Sequence, residues 1–562
     1  MFRKTNSAQQ YDLFCQVEHQ LQESASRQYS DPEEWHNQFR RHVFQKIDET
    51  PFRILFNTKN GAPNASVKRL ISMMILKEAF GWSDAHLFNQ CKFNVLIRSA
   101  LGLYNLNDPV PAASTYYLLR ERMYQHYIKT KQDLMQEVFQ SITYQQVKQF
   151  EVEGEHIRMD STLIGSNIAF YSRYEIIHQS LALFYKQLHR TDTEKLTNPQ
   201  HEALYAIANE QAHKVVYRSS KHSIAERLQE LGQLIWQLCT IFQGSQMQSF
   251  QRLCRIFHEH YKMNHQNQIE VRPKQEISSE SIQSPHDEDC SYRKKNGQET
   301  KGYSYNITET NNPESLNLIT DVQVKKATTS DTAFLQPALD QSTQILGTKP
   351  DNVYADGAYN SQSNDAYCKA HGINFYLTGF QGTKGKYDLH LTAQGLQVTD
   401  RYTGELHKAR QIKQNKWRIQ TEQGYRYFTY EQIKSCQRRK QVEQLPREIR
   451  NRRNNVEATI FQLSIHTRKN KSKYRGLVKQ RMWSFARCLW INLVRILKYT
   501  GEVCQRTSKL MKTSPLLRKN KVHISFFNII FDIFPYFGNF FNNIRFKILL
   551  FRTILNNRPI FS

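Results

Sequence analysis

The stretch from residue 302 to residue 379 constrains the fold most, because strand-like and helix-like segments alternate along it. Two strand candidates, 302–310 and 316–328, are enriched in β-branched residues or alternate apolar with polar residues. A helix candidate then leads to the strand-like "NVYA", and a short helix and the strand-like "INFYLTG" follow. Alternation of this kind is typical of an α/β sheet covered by helices. We therefore expect an α/β fold here.

Helices dominate the predicted N-terminal domain, residues 1–130. Apolar residues recur there at helical spacing, and Ser83 and Asp84 are good N-cap candidates. A Pro-rich turn precedes a helix rich in Arg and Tyr. Helices with Lys and Arg on their faces suit a small DNA-binding unit. A bundle that only packs against the next domain is an equal alternative.

A second domain is expected over residues 150–500. We place a helical and loop insertion at 172–285, where long polar helix patterns return. Short strands with turn signals predict a β-rich insertion at 385–435. Residues 501–562 form a tail that is basic at first and then rich in Phe, Ile and Asn.

The net charge of +26 over 562 residues points to a polyanionic partner. Nucleic acid is the first expectation, and an anionic membrane surface is the second. The nine cysteines are scattered without a C-x-x-C pair or a Cys/His finger spacing, which favours a reducing compartment over a zinc module. The N-terminus shows no signal-peptide pattern, so we expect a cytoplasmic protein.

Three acids and one arginine stand out by their context. Asp160 is predicted to end a strand pair over residues 150–160. Asp356 is predicted to end the strand "NVYA". Glu457 lies on a predicted helix, and Arg453 is four residues before it on the same face. Each has a simpler interpretation, because Asp often caps a turn and Glu often pairs with a helical Arg.

Three carboxylates brought together would repel each other unless cations neutralise them. Hard divalent ions such as Mg²⁺ take oxygen ligands and substrate phosphates. Two such ions, about 3.5–4 Å apart, can assist both the attacking and the leaving oxygen in phosphodiester chemistry.

Five segments in order carry a resemblance to a known family. They are "PVPAASTYYLLRERM", "MDSTLIGSNIAFYSRYEIIHQSL", "SPHDEDCSYRKKNGQETKGYSYNITET" with the later "VYADGAYNS", and "RRNNVEATIFQL". Together they resemble a DDE transposase of a bacterial insertion sequence, nearest to the IS1182-like group of the IS4/IS5-type transposases. The resemblance covers roughly residues 60–500.

The resemblance implies an RNase H-like catalytic core with a helical N-terminal domain, a helical insertion and a β-rich insertion. It implies that Asp160, Asp356 and Glu457 are the catalytic, metal-binding acids and that Arg453 assists them, with two Mg²⁺ or Mn²⁺ ions. Members of the family often carry a Tyr seven residues before the Glu and a Lys seven after it. This chain has Arg450 and Ser464 there, so the role of the Lys passes to Lys469 or Lys471 or is absent.

The function expected from the resemblance is metal-dependent cleavage of DNA at the element ends and strand transfer into target DNA. The partners would be double-stranded DNA, namely terminal inverted repeats and target, bound by a homodimer near the bacterial nucleoid, with no membrane. The alternatives are a metal-dependent nuclease without strand transfer and a catalytically inactive DNA-binding protein of a decayed element.

Other titratable residues near these motifs are weaker candidates. Asp287 and Asp289 could bind metal, but a solvated polar loop is the preferred interpretation. His156 and His466 lack a partner at a metal-ligand spacing and are expected to be structural.

The C-terminal segment 523–562 is rich in Phe, Ile and Asn but is interrupted by polar residues such as Asp532, so it does not predict a membrane span. We interpret it as translation of AT-rich DNA beyond an ancestral end of the gene. Its deletion is expected to leave DNA cleavage intact, and loss of activity in a folded truncation would contradict this.

Overall fold

The computed structural model describes residues 2–5, 12, 14–57, 63–295, 297–380 and 384–513. The hypothesis about residues 523–562 therefore concerns residues outside the described part. Within the described ranges, no helix combines the length and the apolar character that crossing a membrane requires.

The described residues of the N-terminal region contain eight α-helices. They are α1 (Val17–Gln20), α2 (Glu23–Ser30), α3 (Trp35–His42), α4 (Val67–Phe80), α5 (Asp84–Phe93), α6 (Val95–Ala100), α7 (Ala113–Thr130) and α8 (Leu134–Gln149). The expected N-cap Ser83 is confirmed, because its hydroxyl accepts a hydrogen bond from the amide of His86. Asp84 is instead the first residue of α5, where its negative charge interacts favourably with the positive end of the helix dipole.

The helical insertion follows the first strand, β1 (His156–Gly165). It comprises α9 (Arg173–Gln187), α10 (Arg190–Thr193), α11 (Asn198–Asn209), α12 (Ala212–Arg218), α13 (Lys221–Ile241) and α14 (Gln248–His260), then the hairpin β2 (Tyr261–Met263) and β3 (Ile269–Val271). Apolar side chains of this insertion form a hydrophobic cluster of their own, centred on residues such as Phe184, Ile235 and Leu253. The hairpin lies in a segment for which helix and loop were expected.

The central sheet uses β1 and five later strands. The elements that complete it and cover it are β4 (Ser291–Lys295), β5 (Gln298–Thr310), β6 (Ile319–Lys326), α15 (Leu335–Leu346), β7 (Asn352–Ala355), α16 (Gln362–Ala370) and β8 (Asn374–Leu377). The strand order is β4-β5-β1-β7-β8, and β6 also pairs with β5. β5 is antiparallel to β1, β4 and β6, whereas β1, β7 and β8 are parallel. The α/β alternation predicted for this part is confirmed.

Two small three-stranded sheets form the β-rich insertion. Their strands are β9 (Tyr387–Thr392), β10 (Gly395–Asp400), β11 (Leu406–Lys408), β12 (Arg410–Lys413), β13 (Lys416–Thr421) and β14 (Gly424–Thr429). The chain then continues as α17 (Tyr430–Gln444), α18 (Arg447–Asn451), α19 (Asn455–Ser464) and α20 (Leu477–Thr513). The buried side chains of the insertion pack around Trp417 and Phe428.

The largest hydrophobic cluster joins the N-terminal helices to the sheet. It includes Phe39 and Leu76 from the N-terminal helices, Ile307 from β5 and Leu489 from α20. The long helix α20 packs on α3, α4, α7 and α8 on one side and on β6 on the other. A smaller cluster under the parallel strands contains Met159, Val353 and Phe334.

Candidate active site

Asp160 lies on β1, and Asp356 directly follows the neighbouring parallel strand β7. In the ladder between β1 and β7, Arg158 is opposite Tyr354. Asp160 and Asp356 each come two residues later in the chain. β7 ends at Ala355, so Asp356 begins the turn that follows it. The sheet thus brings together two acids that are far apart in the sequence.

The expectation that Asp160 ends a strand is wrong. Asp160 lies in the middle of β1, which continues as far as Gly165 because β5 pairs with it antiparallel over this whole length. Only the parallel partner β7 stops at this level. The expected strand pair before Asp160 is also absent from the described structure of residues 150–165, since Glu151 turns the chain with φ of 49° after α8.

Glu457 and Arg453 belong to the segment that packs on β1 through α19. The guanidinium of Arg453 donates to Asp160 Oδ2 at 2.6 Å and to Glu457 Oε1 at 3.0 Å. Its Nε donates to Thr378 Oγ1 at 3.0 Å. Asp160 and Arg453 are largely buried, whereas 63% of the Glu457 side chain is exposed. Arg453 therefore links Asp160, Glu457 and the end of β8.

Burial raises the pKa of Asp160 to about 6. Arg453 and the amide of Ser161 act in the opposite direction, while the negative charges of Asp356 and Glu457 raise the pKa further. The positive charge of Arg453 therefore does not fully compensate the effects of burial and of the neighbouring acids on Asp160. Buried acids close to like charges are a common feature of catalytic sites.

The turn after β7 requires glycine at position 357. A Cβ on Gly357 would lie 2.4 Å from the carbonyl oxygen of Gly379, a contact that side chains do not make. Gly379 lies beside the Asp356 carboxylate, where a Cβ would be at an ordinary contact distance of 3.4 Å from Oδ1. Asp356 Oδ1 also accepts a hydrogen bond from the Gly357 amide at 2.6 Å. Close packing of the two turns fixes the direction of the Asp356 side chain.

A buried ionic network holds α19 against the sheet. Glu309 of β5 is fully buried and accepts from Arg158 Nε at 2.6 Å and from Thr459 Oγ1 at 2.7 Å, with Arg495 at 2.8 Å. Burial acts to raise the pKa of Glu309, but Arg495 and Arg158 outweigh it, so the pKa lies below its ordinary value. Arg158 also donates to the carbonyl of Arg452, the residue before Arg453, at 3.1 Å.

The residues of the site fit a divalent cation in part. Asp160 and Asp356 supply carboxylate oxygens, the donors that Mg²⁺ and Mn²⁺ prefer, and the raised pKa of Asp160 shows negative charge that a cation would offset. Glu457 is exposed and bonded to Arg453. Among the described residues, no three His, Cys, Asp or Glu side chains are gathered in a metal-binding arrangement. The three-acid metal set stays a prediction.

Thr378 and Asp331 are site residues that the sequence analysis missed. Thr378 follows β8 and accepts from Arg453, and Asp331 accepts from the hydroxyl of Ser161, the neighbour of Asp160, at 2.9 Å. The signal for Thr378 was present, since it follows the strand-like "INFYL" in the same manner as Asp356 follows "NVYA".

The rival acids have structural contacts. Asp287 is buried, which contradicts the expected solvated loop, and it accepts from the hydroxyls of Ser166 and Tyr303. Asp289 accepts from the amide of Leu477 at 3.0 Å, at the start of α20.

Other candidates from the sequence also have contacts in the structure. His156 is hydrogen-bonded to the hydroxyl of Tyr354, and His466 to the carbonyl of Ala79. Lys471 donates to the carbonyl of Ile168, whereas Lys469 is exposed on its turn.

Two parts of the chain match models of known transposase families. Residues 279–493 match the Transposase DDE domain family, and residues 27–122 match the Transposase domain (DUF772) family. The first range contains Asp356, Arg453 and Glu457, while Asp160 lies before it. The two matches support a DDE transposase of the insertion-sequence type.

The predicted resemblance is therefore confirmed at the level of the DDE transposase domain. Neither the curated proteins nor the solved structures gave a significant match.

Proposed function

We propose that this protein is a transposase of the IS1182-like group that cuts DNA at the ends of an insertion sequence and joins the 3′-OH to target DNA. The observation that carries the proposal is that Arg453 bonds to Asp160 of β1 and to Glu457 of α19, beside the strand β7 that leads to Asp356. These residues belong to a chain that matches a DDE transposase domain. The strand order, with β5 antiparallel and β1, β7 and β8 parallel, supports an RNase H-like core.

Each residue of the site has a defined role in this proposal. Asp160 and Asp356 would hold Mg²⁺ or Mn²⁺, and Glu457 would complete the set. When bound, such ions supply Lewis-acid activation of the attacking oxygen and charge stabilisation of the leaving oxygen. Arg453 offsets part of the negative charge of Asp160 and fixes the direction of Glu457, so it is a positioning residue that holds like charges close together.

Double-stranded DNA is the proposed partner. The net charge of +26 supplies sequence-independent attraction to the phosphate backbone, with an affinity that falls steeply as salt rises. Because transposition acts on two element ends, we propose that two copies of the chain act together on DNA in the bacterial cytoplasm.

The products formed on DNA distinguish this proposal from its alternatives. The DNA that flanks the gene supplies the terminal inverted repeats for a labelled substrate, to be incubated with the protein, Mg²⁺ or Mn²⁺ and a target plasmid. A transposase yields both cut ends and joined products, and a nuclease yields cut ends only. An inactive binding protein shifts the substrate without cutting it, and either of the last two results would contradict strand transfer.

A further inference from the structure

The sheet β12–β13–β14 of the β-rich insertion has two different faces. Trp417, Ile419 and Phe428 point inward and are at most 8% exposed. The opposite face, which we call the outer face, presents four cations and two tyrosines: Arg410, Lys413, Lys416, Arg418, Tyr425 and Tyr427. The inner residues explain why the sheet folds, but they do not explain why this composition lies outside.

The register of the outer face places like charges opposite each other. Arg410 pairs with Arg418 across β12 and β13, and Lys413 pairs with Lys416. Like charges directly opposite destabilise a sheet. An external anion would remove this penalty.

Several acids of the insertion and of α17 form ion pairs with cations that lie outside the outer face. Within the described residues of the insertion and α17, ion pairs join acids to Lys384, Lys386, Arg401 and Lys440. In the same described part, the four cations of the outer face form no ion pair. Four cations of the insertion without an ion pair among the described residues thus lie together on one sheet face.

The tyrosines hold two of these cations in place. The Arg418 guanidinium lies 4.4 Å from the centre of the Tyr425 ring, and Lys416 Nζ lies 5.1 Å from that of Tyr427. About half of each tyrosine is exposed. At exposed sites a cation–π contact contributes roughly 0.5–1 kcal/mol, enough to restrict a long side chain. Cations restricted in advance lose less entropy when they bind a phosphate.

We propose that the outer face of β12–β14 binds the phosphate backbone of duplex DNA. The inference rests on the proposed transposase function, which supplies the DNA, and extends it to a surface outside the candidate active site. A polyanion offsets both like-charge pairs at once and releases its counterions on binding. The helix α17 follows β14 and is joined to the core by the ion pair of Arg438 with Asp365 at 2.7 Å. It leads into the segment that carries Arg453 and Glu457, so the outer face and these two site residues belong to one continuous segment of the sequence.

Salt-dependent DNA binding tests the outer face. The variant R410Q/R418Q should weaken binding of a labelled duplex with an element end and lower the slope of log Kd against log salt by about 1.8, that is about 0.9 for each phosphate that the variant no longer neutralises. The control K186Q/K221Q removes the same charge from exposed positions of the helical insertion, and its slope should equal that of the wild type. The charge-preserving R410K/R418K should retain most of the slope.

Thermal melting checks that each variant is folded before its binding is compared. If R410Q/R418Q is folded and its slope equals that of K186Q/K221Q, the inference about the outer face is overturned. The proposed function fails in a different way, through a wild-type protein that binds the duplex and never cuts it. A wild-type protein that binds no DNA would overturn both.

Discussion

At the scale of single residues, the surroundings of Asp160 disfavour the ionised form of its carboxyl group. Its pKa of about 6 lies above the ordinary 3.8, so the folded protein holds this proton more tightly than the unfolded chain. Ionisation therefore costs stability as pH rises through the range between these two values. Such a cost is common where a site is arranged for binding rather than for stability.

We predict that D160N is more stable than the wild type at pH 7 in the presence of EDTA. The amide keeps the shape of the carboxyl but has no charge to bury, and a shift of about two units corresponds to a gain of up to about 3 kcal/mol. The gain should disappear near pH 4, where Asp160 of the folded wild type is already protonated. Urea unfolding at both pH values measures it, and a lower stability of D160N at pH 7 would contradict the account.

Gly357 allows the turn after β7 to approach the backbone of Gly379, after β8, closely. We predict that G357A costs roughly 1–3 kcal/mol and impairs cleavage, because the new methyl group would overlap the carbonyl of Gly379 and displace Asp356. G385A is the matched control, since a Cβ there meets no atom within 4 Å. Equal melting temperatures and activities of the two variants would show that the close approach does not matter.

At the scale of elements, the sequence predicted the strands and helices that have a strong local pattern. β5 to β8 were predicted because alternation, β-branched residues and turn signals mark them, and Arg453 was found because its spacing from Glu457 is helical. The course of β1 past Asp160 was not predictable in this way, because it depends on pairing with β5, more than a hundred residues later. Thr378 and Asp331 join the site only through the folded arrangement.

The position of α19 depends on the buried network around Glu309. We predict that E309Q costs about 3–5 kcal/mol, because it leaves Arg158 and Arg495 facing a neutral group in the interior. T459V keeps the carboxylate and removes the hydrogen bond that Thr459 donates to it, together with the one that Thr459 accepts from Arg495, and should cost about 1–3 kcal/mol. Urea unfolding of both variants tests this order, and a larger loss of stability in T459V would contradict it.

At the scale of the whole molecule, the N-terminal helices and the sheet share one hydrophobic cluster. The domain division at about residues 130 and 150 stays a prediction, but α20 packs on α3, α4 and α7 from before it and on β6 from after it. The sequence could not reveal this sharing, because helical periodicity shows which face is buried and not which element covers it.

We predict that a fragment of residues 150–513 does not fold as a stable unit. Without α3, α4 and α8 it would expose the apolar faces of α20 and β6 that these helices cover in the full chain. Circular dichroism melting of the purified fragment measures this. A cooperative transition close to that of the intact protein would contradict the prediction and favour an independent catalytic domain.

The most direct test of the central claim compares DNA cleavage by D160N, D356N and E457Q with that by D351N. Asp351 lies next to the start of β7, at the opposite end of the strand from Asp356, so D351N makes the same chemical change away from the site. With Mg²⁺ and a duplex that contains the element end, we expect D351N to cut at the wild-type rate and the three site variants to bind the duplex without cutting it. Wild-type cleavage by D356N would contradict the assignment of this site.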